Sequence, residues 1–307
     1  MPRVWPLVGR TDELAVVAEA MDGDAGGVLL AGPPGVGKTR LATECLVLAE
    51  RRGWPTAVVR ANQAVASIPY GAFAPHLPAA FRSDGEADAL RQAAAAIVAE
   101  AGTERLLLLV DDAHALDDGS AALLHLLTSA PRVFPVVTAR SGAGAPDAVI
   151  ELWKDEHLVR VDVPVLDVSA TNELLTAALD GPVEGGTGQA LWRASGGNAL
   201  FLRELILGAE DAGALRDVGG LWRLSRDLSP STRLGEVVGL RLGRLSDAER
   251  EVVELVAVGE PVAFEDLVDL VQAQGIDELQ RRQLLEVLSA FLTWEQNLQP
   301  VLANLHA

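Results

Sequence analysis

Gly32-Pro33-Pro34-Gly35-Val36-Gly37-Lys38-Thr39 fills the pattern G-x-x-x-x-G-K-[ST] at every position. Glycines in such a loop let the backbone turn with its N–H groups facing inward, where phosphate oxygens accept them. A helix opening at Lys38 adds partial positive charge at the same point. Lys38 brings a full charge for the β and γ phosphates, and the Thr39 hydroxyl is a ligand for Mg²⁺. The expected ligand is a purine nucleoside triphosphate, ATP with Mg²⁺, cradled by Pro33, Pro34, Gly35, Val36, Gly37, Lys38, Thr39 and Arg40. A plain Gly-rich turn is the competing reading.

A second constellation lies 72 positions beyond Thr39, where the apolar run Leu107–Val110 leads into Asp111-Asp112. A carboxylate at the end of a buried parallel strand sits where ligands gather in such sheets. Asp111 is the expected holder of Mg²⁺ through its water shell. Asp112 is a candidate general base that polarises the attacking water. An exposed acidic turn or a helix cap is the alternative for both, and Asp112 could instead act as a nucleotide-state switch with little turnover. Val136-Val137-Thr138-Ala139-Arg140 ends a further strand with a polar residue and a cation, and Arg140 could report on the γ-phosphate by a charge-assisted contact or be a plain surface arginine. His114 could contact phosphate-bound water or make a structural hydrogen bond. The five histidines show no metal-ligand spacing with the single cysteine, so no zinc site is expected.

These residues need a sheet to hold them. Val28–Ala31, Ala57–Arg60, Leu106–Val110, Val133–Thr138 and Leu158–Val163 read as strands, and Lys38–Arg51, Asp88–Ala101 and Ser120–Ser129 as helices between them. That alternation predicts an α/β fold with a mainly parallel, five-stranded sheet covered on both faces. The distance between the two motifs leaves room for Ala57–Arg60 as an extra strand. Such spacing favours ATPases among P-loop proteins over small GTPases, and no guanine-reading N-K-x-D is present.

From Leu166 to about Val271 the pattern becomes helices and turns without convincing strands. Ala170–Leu179, Thr187–Ala194, Ala199–Ala209, Arg233–Leu245, Asp247–Val258 and Phe264–Val271 are the expected helices. Asp167 or Ser169 is placed to cap the first and Ser246 the fifth, while Gly219-Gly220 and Ser229-Pro230-Ser231 read as linkers.

Composition excludes several roles. The net charge is −18 over 307 residues, and the stretch from Ser246 onward carries 12 acidic against 3 basic side chains. That balance opposes binding to the phosphates of nucleic acid or to an anionic membrane surface. No apolar run approaches the ~20 residues of a membrane span. One cysteine, Cys45, cannot close an internal disulfide and reads as a buried thiol, and no signal segment is evident, so the expected compartment is the cytoplasm.

With these residues placed, the chain resembles the STAND class of signalling ATPases, and more narrowly the ATPase module of large LuxR-type, MalT-like transcriptional regulators. Leu7-Val8-Gly9-Arg10-Thr11-Asp12-Glu13-Leu14 resembles that family's N-terminal box, where backbone at Val8 and Gly9, beside Arg10, lies against adenine. Ile68-Pro69-Tyr70-Gly71-Ala72-Phe73 resembles the segment after the second strand. Ala194-Ser195-Gly196-Gly197-Asn198-Ala199-Leu200-Phe201-Leu202 resembles the start of a lid helix, with Ala199 in place of the family's proline. Leu221-Trp222-Arg223-Leu224 followed by Arg233–Leu245 resembles the entry to a winged helix. The resemblance implies a P-loop domain over residues 1–165, a helical lid over 166–228 and a winged-helix-like helical region over 229–307. After about 272 the family pattern stops: Asp277–Leu288 and Phe291–Leu305 read as helices, and His306 does not replace the family's ADP-sensing histidine.

The expected function is an ATP/ADP switch with slow hydrolysis, resting on Lys38, Asp112 and Arg140. Self-association or a regulatory protein partner is compatible with it, and direct nucleic-acid binding is not expected. An AAA+-like motor or loader, using Arg193 or Arg203 as a lid arginine, and a scaffold whose nucleotide is structural are the competing classes.

Overall fold

A computed structural model describes residues 5–82, 86–141 and 158–225. The helices expected over Arg233–Leu245, Asp247–Val258, Phe264–Val271, Asp277–Leu288 and Phe291–Leu305, with the Ser246 cap and the winged-helix-like region, lie outside the described residues. The chain divides into two compact units, Arg10–Pro164 and the paired segments Met1–Gly9 and Val165–Ala307.

The first unit runs α1 (Thr11–Asp22), β1 (Val28–Gly32), α2 (Lys38–Arg51), β2 (Thr56–Arg60), a 3-10 turn (Gly71–His76), α3 (Glu86–Glu100), β3 (Leu106–Asp111), a short 3-10 turn (Ala113–Ala115), α4 (Asp118–Thr128), β4 (Val133–Arg140) and β5 (Val159–Asp162). Its five strands form one sheet in the order β2-β3-β4-β1-β5. Every pairing in it is parallel. This is the α/β, P-loop NTPase fold. The strand that separates β1 from β3 in space is β4, while the extra strand β2 lies outside β3.

Side chains alternate faces along a strand, and β3 uses both. Leu106, Leu108 and Val110 join Ala89, Ala93 and Ile97 of α3 and Leu123, Leu124 and Leu127 of α4 in one core. On α2, which packs against β1, β3 and β4, Leu41, Ala42, Cys45 and Ala49 are buried. With apolar cover on both sides, all six residues of β3 are buried. Burying each leucine contributes about 1.5–3 kcal/mol. Cys45 belongs to this packing: its thiol donates to Leu41 O at 3.3 Å, and burial pushes its pKa up to about 12.

Pro135 within central β4 runs against the usual confinement of proline to sheet edges. It pairs with Leu108 of β3, whereas the β1 partnership begins one residue later, at Val28 opposite Val136. Gly27 accommodates the ring, because a Cβ there would stand 2.7 Å from Pro135 Cγ.

In the second unit the described residues form α5 (Val168–Leu179), α6 (Gly185–Ser195), α7 (Ala199–Asp211), β6 (Leu215–Asp217) and β7 (Trp222–Leu224). Asp167 caps α5 by accepting the Ala170 N–H at 2.7 Å. Each residue of the turn from Ser195 to Asn198 has a local duty. Gly196 ends α6 in the left-handed region. Gly197, at φ +71°, passes so close to Leu166 that a Cβ would stand 2.2 Å from its carbonyl oxygen. Asn198 caps α7 through the Leu200 and Phe201 N–H groups. One expectation fails here: the region is not free of strands, because Leu215–Asp217 and Trp222–Leu224 pair as an antiparallel hairpin. Gly219 and Gly220, at φ +66° and +84°, are its turn rather than a linker between helices. Strands of three residues are too short to carry a periodic signal.

Candidate functional site

Parallel pairing brings the chemistry to one edge. Gly32 at the end of β1 is in register with Arg140 at the end of β4, and Asp111 ends β3 beside them. The loop from Gly32 to Lys38 needs its glycines. Gly35 and Gly37 have φ +86° and +102°, in a region where L side chains are strained. A Cβ on Gly32 would stand 2.5 Å from Val163 O.

Lys38 is 6% exposed as a residue, and its ammonium donates to Gly32 O at 2.9 Å and Pro33 O at 2.8 Å. Those bonds fold it over the loop that it opens. Arg40, in the first turn of α2, pairs with Glu44 at 2.5 Å.

Four residues form a single hydrogen-bonded chain. Thr39 Oγ1 donates to Asp111 Oδ1 at 2.9 Å. Thr138 Oγ1 donates to the same oxygen at 2.7 Å and accepts the Asp112 N–H at 2.8 Å. Thr138 is fully buried and Asp111 8% exposed, so these bonds act in a low-dielectric setting. Asp112 has φ +56°, an uncommon conformation for a residue with a Cβ, and the Thr138 bond anchors its backbone there. Its carboxylate is 47% exposed. The sequence marks Thr138 only as the polar residue in an otherwise apolar strand, and its bridging role needs β4 placed next to β3.

A hydroxyl and a carboxylate oxygen converging at 2.9 Å are hard donors of the kind Mg²⁺ takes while keeping several waters. Thr39 and Asp111 therefore fit the ion. When bound, it would neutralise charge between phosphate oxygens.

His114 stands beside this cluster with Nδ1 3.8 Å from Asp112 Oδ1. Its pKa is held below the ordinary 6.5, first by burial and next by the charge of Arg140, against the pull of Asp112. Arg140 itself is exposed.

Arg10 has a different kind of environment from the loop residues. Its guanidinium is 4% exposed and donates to Val36 O at 3.2 Å, Pro164 O at 2.5 Å and Glu13 Oε1 at 2.9 Å. It ties the phosphate loop to the end of the segment after β5 and to α1. Val8 and Gly9 belong to the second unit, where Val8 is 8% exposed. A Cβ on Gly9, at φ +60°, would meet Ala170 Cβ at 2.5 Å. In that unit Arg203 lies over the Trp5 ring at 5.8 Å, and Arg193 is exposed.

Within the segment 68–73, Tyr70, Ala72 and Phe73 join the first unit's core, while Ile68 is exposed. Tyr70 donates its N–H to Asp117 Oδ1 at 3.0 Å, the same carboxylate that caps α4 through Ser120 N at 2.9 Å. Among the described residues no group of three or more His, Cys, Asp or Glu side chains gathers for a metal, and no helix is long and apolar enough to cross a membrane.

Residues 6–138 match the family model of the AAA ATPase domain. Among solved structures the chain is similar to the Thermotoga maritima RuvB Holliday junction branch migration motor, at 19% identity and a TM-score of 0.50, over 92% of this chain and 90% of that one. It is also similar to the Aeropyrum pernix ORC1 protein solved in complex with DNA, at 16% identity and a TM-score of 0.53, over 91% and 85% of the two chains. No curated protein matches it. The family match is confined to residues 6–138, and the likeness to the solved structures shows a shared fold, that of an AAA+-like P-loop ATPase domain.

Proposed function

We propose that the chain is an ATP/ADP-binding switch with slow ATP hydrolysis, the regulatory ATPase module of a LuxR-type, STAND-class transcriptional regulator. The observation that carries this reading is the chain of hydrogen bonds from Thr39 through Asp111 and Thr138 to Asp112. It couples the loop that would hold the phosphates to the residue that would act on water. Lys38 and the loop N–H groups bind the β and γ phosphates, with Thr39 and Asp111 on Mg²⁺. Asp112 takes the proton of the attacking water, and Arg140 stabilises charge on the transferred phosphoryl group. Val8 and Gly9 would supply backbone to adenine. Exchange of ADP for ATP would shift the balance between two arrangements of sheet unit and lid. The test is phosphate release from the purified chain. No release above that of the Lys38→Ala variant would leave binding without hydrolysis.

A motor or loader acting on DNA is the second reading, favoured by the fold shared with the branch migration motor and the DNA-bound ORC1. The net charge of −18 weighs against it. ATP-dependent ring assembly in light scattering, with turnover stimulated by DNA, would replace the switch by the motor.

A further inference from the structure

His114 contains a buried polar atom with nothing to satisfy it. Nδ1 is inaccessible and has no hydrogen-bond partner among the described residues, an arrangement that carries an uncompensated desolvation cost. Asp112 Oδ1 stands 3.8 Å from it, about 0.6 Å beyond hydrogen-bond reach. Asp112 is the complementary case. Its main chain is pinned by Thr138, yet its carboxylate, 47% exposed, makes no hydrogen bond among the described residues. A candidate base held at its backbone and loose at its carboxylate lacks the orientation that proton abstraction requires.

The surroundings set which form of the ring can serve. Lys38 of α2 and Arg140 of β4 bring positive charge to His114, and Asp111 and Asp112 bring negative charge. Burial and the two cations favour the neutral imidazole. A neutral ring has one N–H, and only an Nδ1–H gives the buried nitrogen a proton to donate toward Asp112.

We propose that His114 is a positioning residue for Asp112: in the loaded site its Nδ1–H closes onto Asp112 Oδ1 and aims that carboxylate at the attacking water. This rests on the hydrolysis reading above. In that step the water oxygen bonds to the γ phosphorus, and the bond to the β–γ bridging oxygen breaks with its electron pair going to ADP. The water proton passes to Asp112. His114 neither gains nor loses a proton.

Two measurements on the full chain test it. Nitrogen-15 histidine spectra, recorded with Mg²⁺ and a non-hydrolysable ATP analogue, should place the His114 proton on Nδ1. Adding the analogue should move that Nδ1 resonance, and Asp112→Ala should abolish the movement. A proton on Nε2 in the loaded state overturns the proposal. In steady-state kinetics His114→Ala should lower kcat roughly tenfold to a hundredfold, with KM and ATP affinity within about twofold. His114→Asn, which offers an amide N–H near the Nδ1 position, should recover most of the loss. Equal losses in Ala and Asn variants, with a matching fall in Tm, would make His114 a packing residue and sink the idea. Should the wild-type chain release no phosphate beyond the Lys38→Ala control, the hydrolysis reading fails by itself, and the spectra still decide whether the His114–Asp112 bond closes.

Discussion

Thr138 Oγ1 lies 2.7 Å from Asp111 Oδ1, and the same hydroxyl takes the N–H of the next residue, Asp112, at 2.8 Å. One side chain on β4 thus holds the carboxylate of one acid and the main chain of the other. Replacing it by valine keeps the shape and removes both bonds, leaving a buried N–H and a buried carboxylate oxygen short of partners. Thr138→Val should cost about 1–3 kcal/mol, seen as a Tm lower by several degrees. Phosphate release should slow by at least about tenfold. Thr138→Ser should stay near wild type in both.

Lys38→Ala removes the one full positive charge built into the phosphate loop. ATP affinity measured by calorimetry should fall at least about tenfold, or 1.4 kcal/mol. Chelation of Mg²⁺ should weaken ATP binding in the wild type, and Thr39→Val should reduce that metal dependence.

Arg10 acts on the loop from behind, through Val36 O and Pro164 O. Lysine cannot reproduce a planar fork that reaches two carbonyls and Glu13 together. Arg10→Lys should therefore lower stability by about 1–3 kcal/mol in chemical denaturation, and ATP affinity roughly threefold to tenfold through a loosened loop.

His114 links stability to pH. Its folded pKa lies below the ordinary 6.5, so on acidification the unfolded chain takes up the proton first. Stability is unaffected by this group above 6.5, falls as the pH drops below 6.5, and levels off under the folded value. Tm profiles of wild type and His114→Asn should run parallel above about pH 7 and diverge below it, the wild type losing more.

Two glycines separate backbone strain from steric clash. Gly37 has φ +102° with nothing within 4 Å of an added Cβ, whereas a Cβ on Gly197 would stand 2.2 Å from Leu166 O. Gly37→Ala should cost about 1–2 kcal/mol of strain. Gly197→Ala should cost more, and limited proteolysis should cut the unit that holds Gly197 first.

Much was legible along the chain because it is local. The phosphate loop, the apolar run into Asp111-Asp112 and the helix over Lys38–Arg51 each depend on residues within a few positions of one another. The hairpin of Leu215–Asp217 and Trp222–Leu224 escaped because three residues per strand are too few to show a period. Asp117 escaped for another reason: its N-cap is local, but its bond to Tyr70 crosses 47 positions.

The sequence by itself determined that Gly32–Thr39 fills the pattern of a phosphate loop, that Asp111 ends a buried strand, and that strands and helices alternate into a covered parallel sheet. Only the tertiary structure decided which strand lies between the two motifs. By placing β4 there it joined Thr39, Asp111, Thr138 and Asp112 in one hydrogen-bonded chain. It also turned Arg10 onto Val36 O of the loop and onto Pro164 O, and left His114 Nδ1 buried beside a loose carboxylate. Residue type and spacing fix what a side chain can offer. Which partner receives it depends on strand order, which is settled by long-range packing of the sheet.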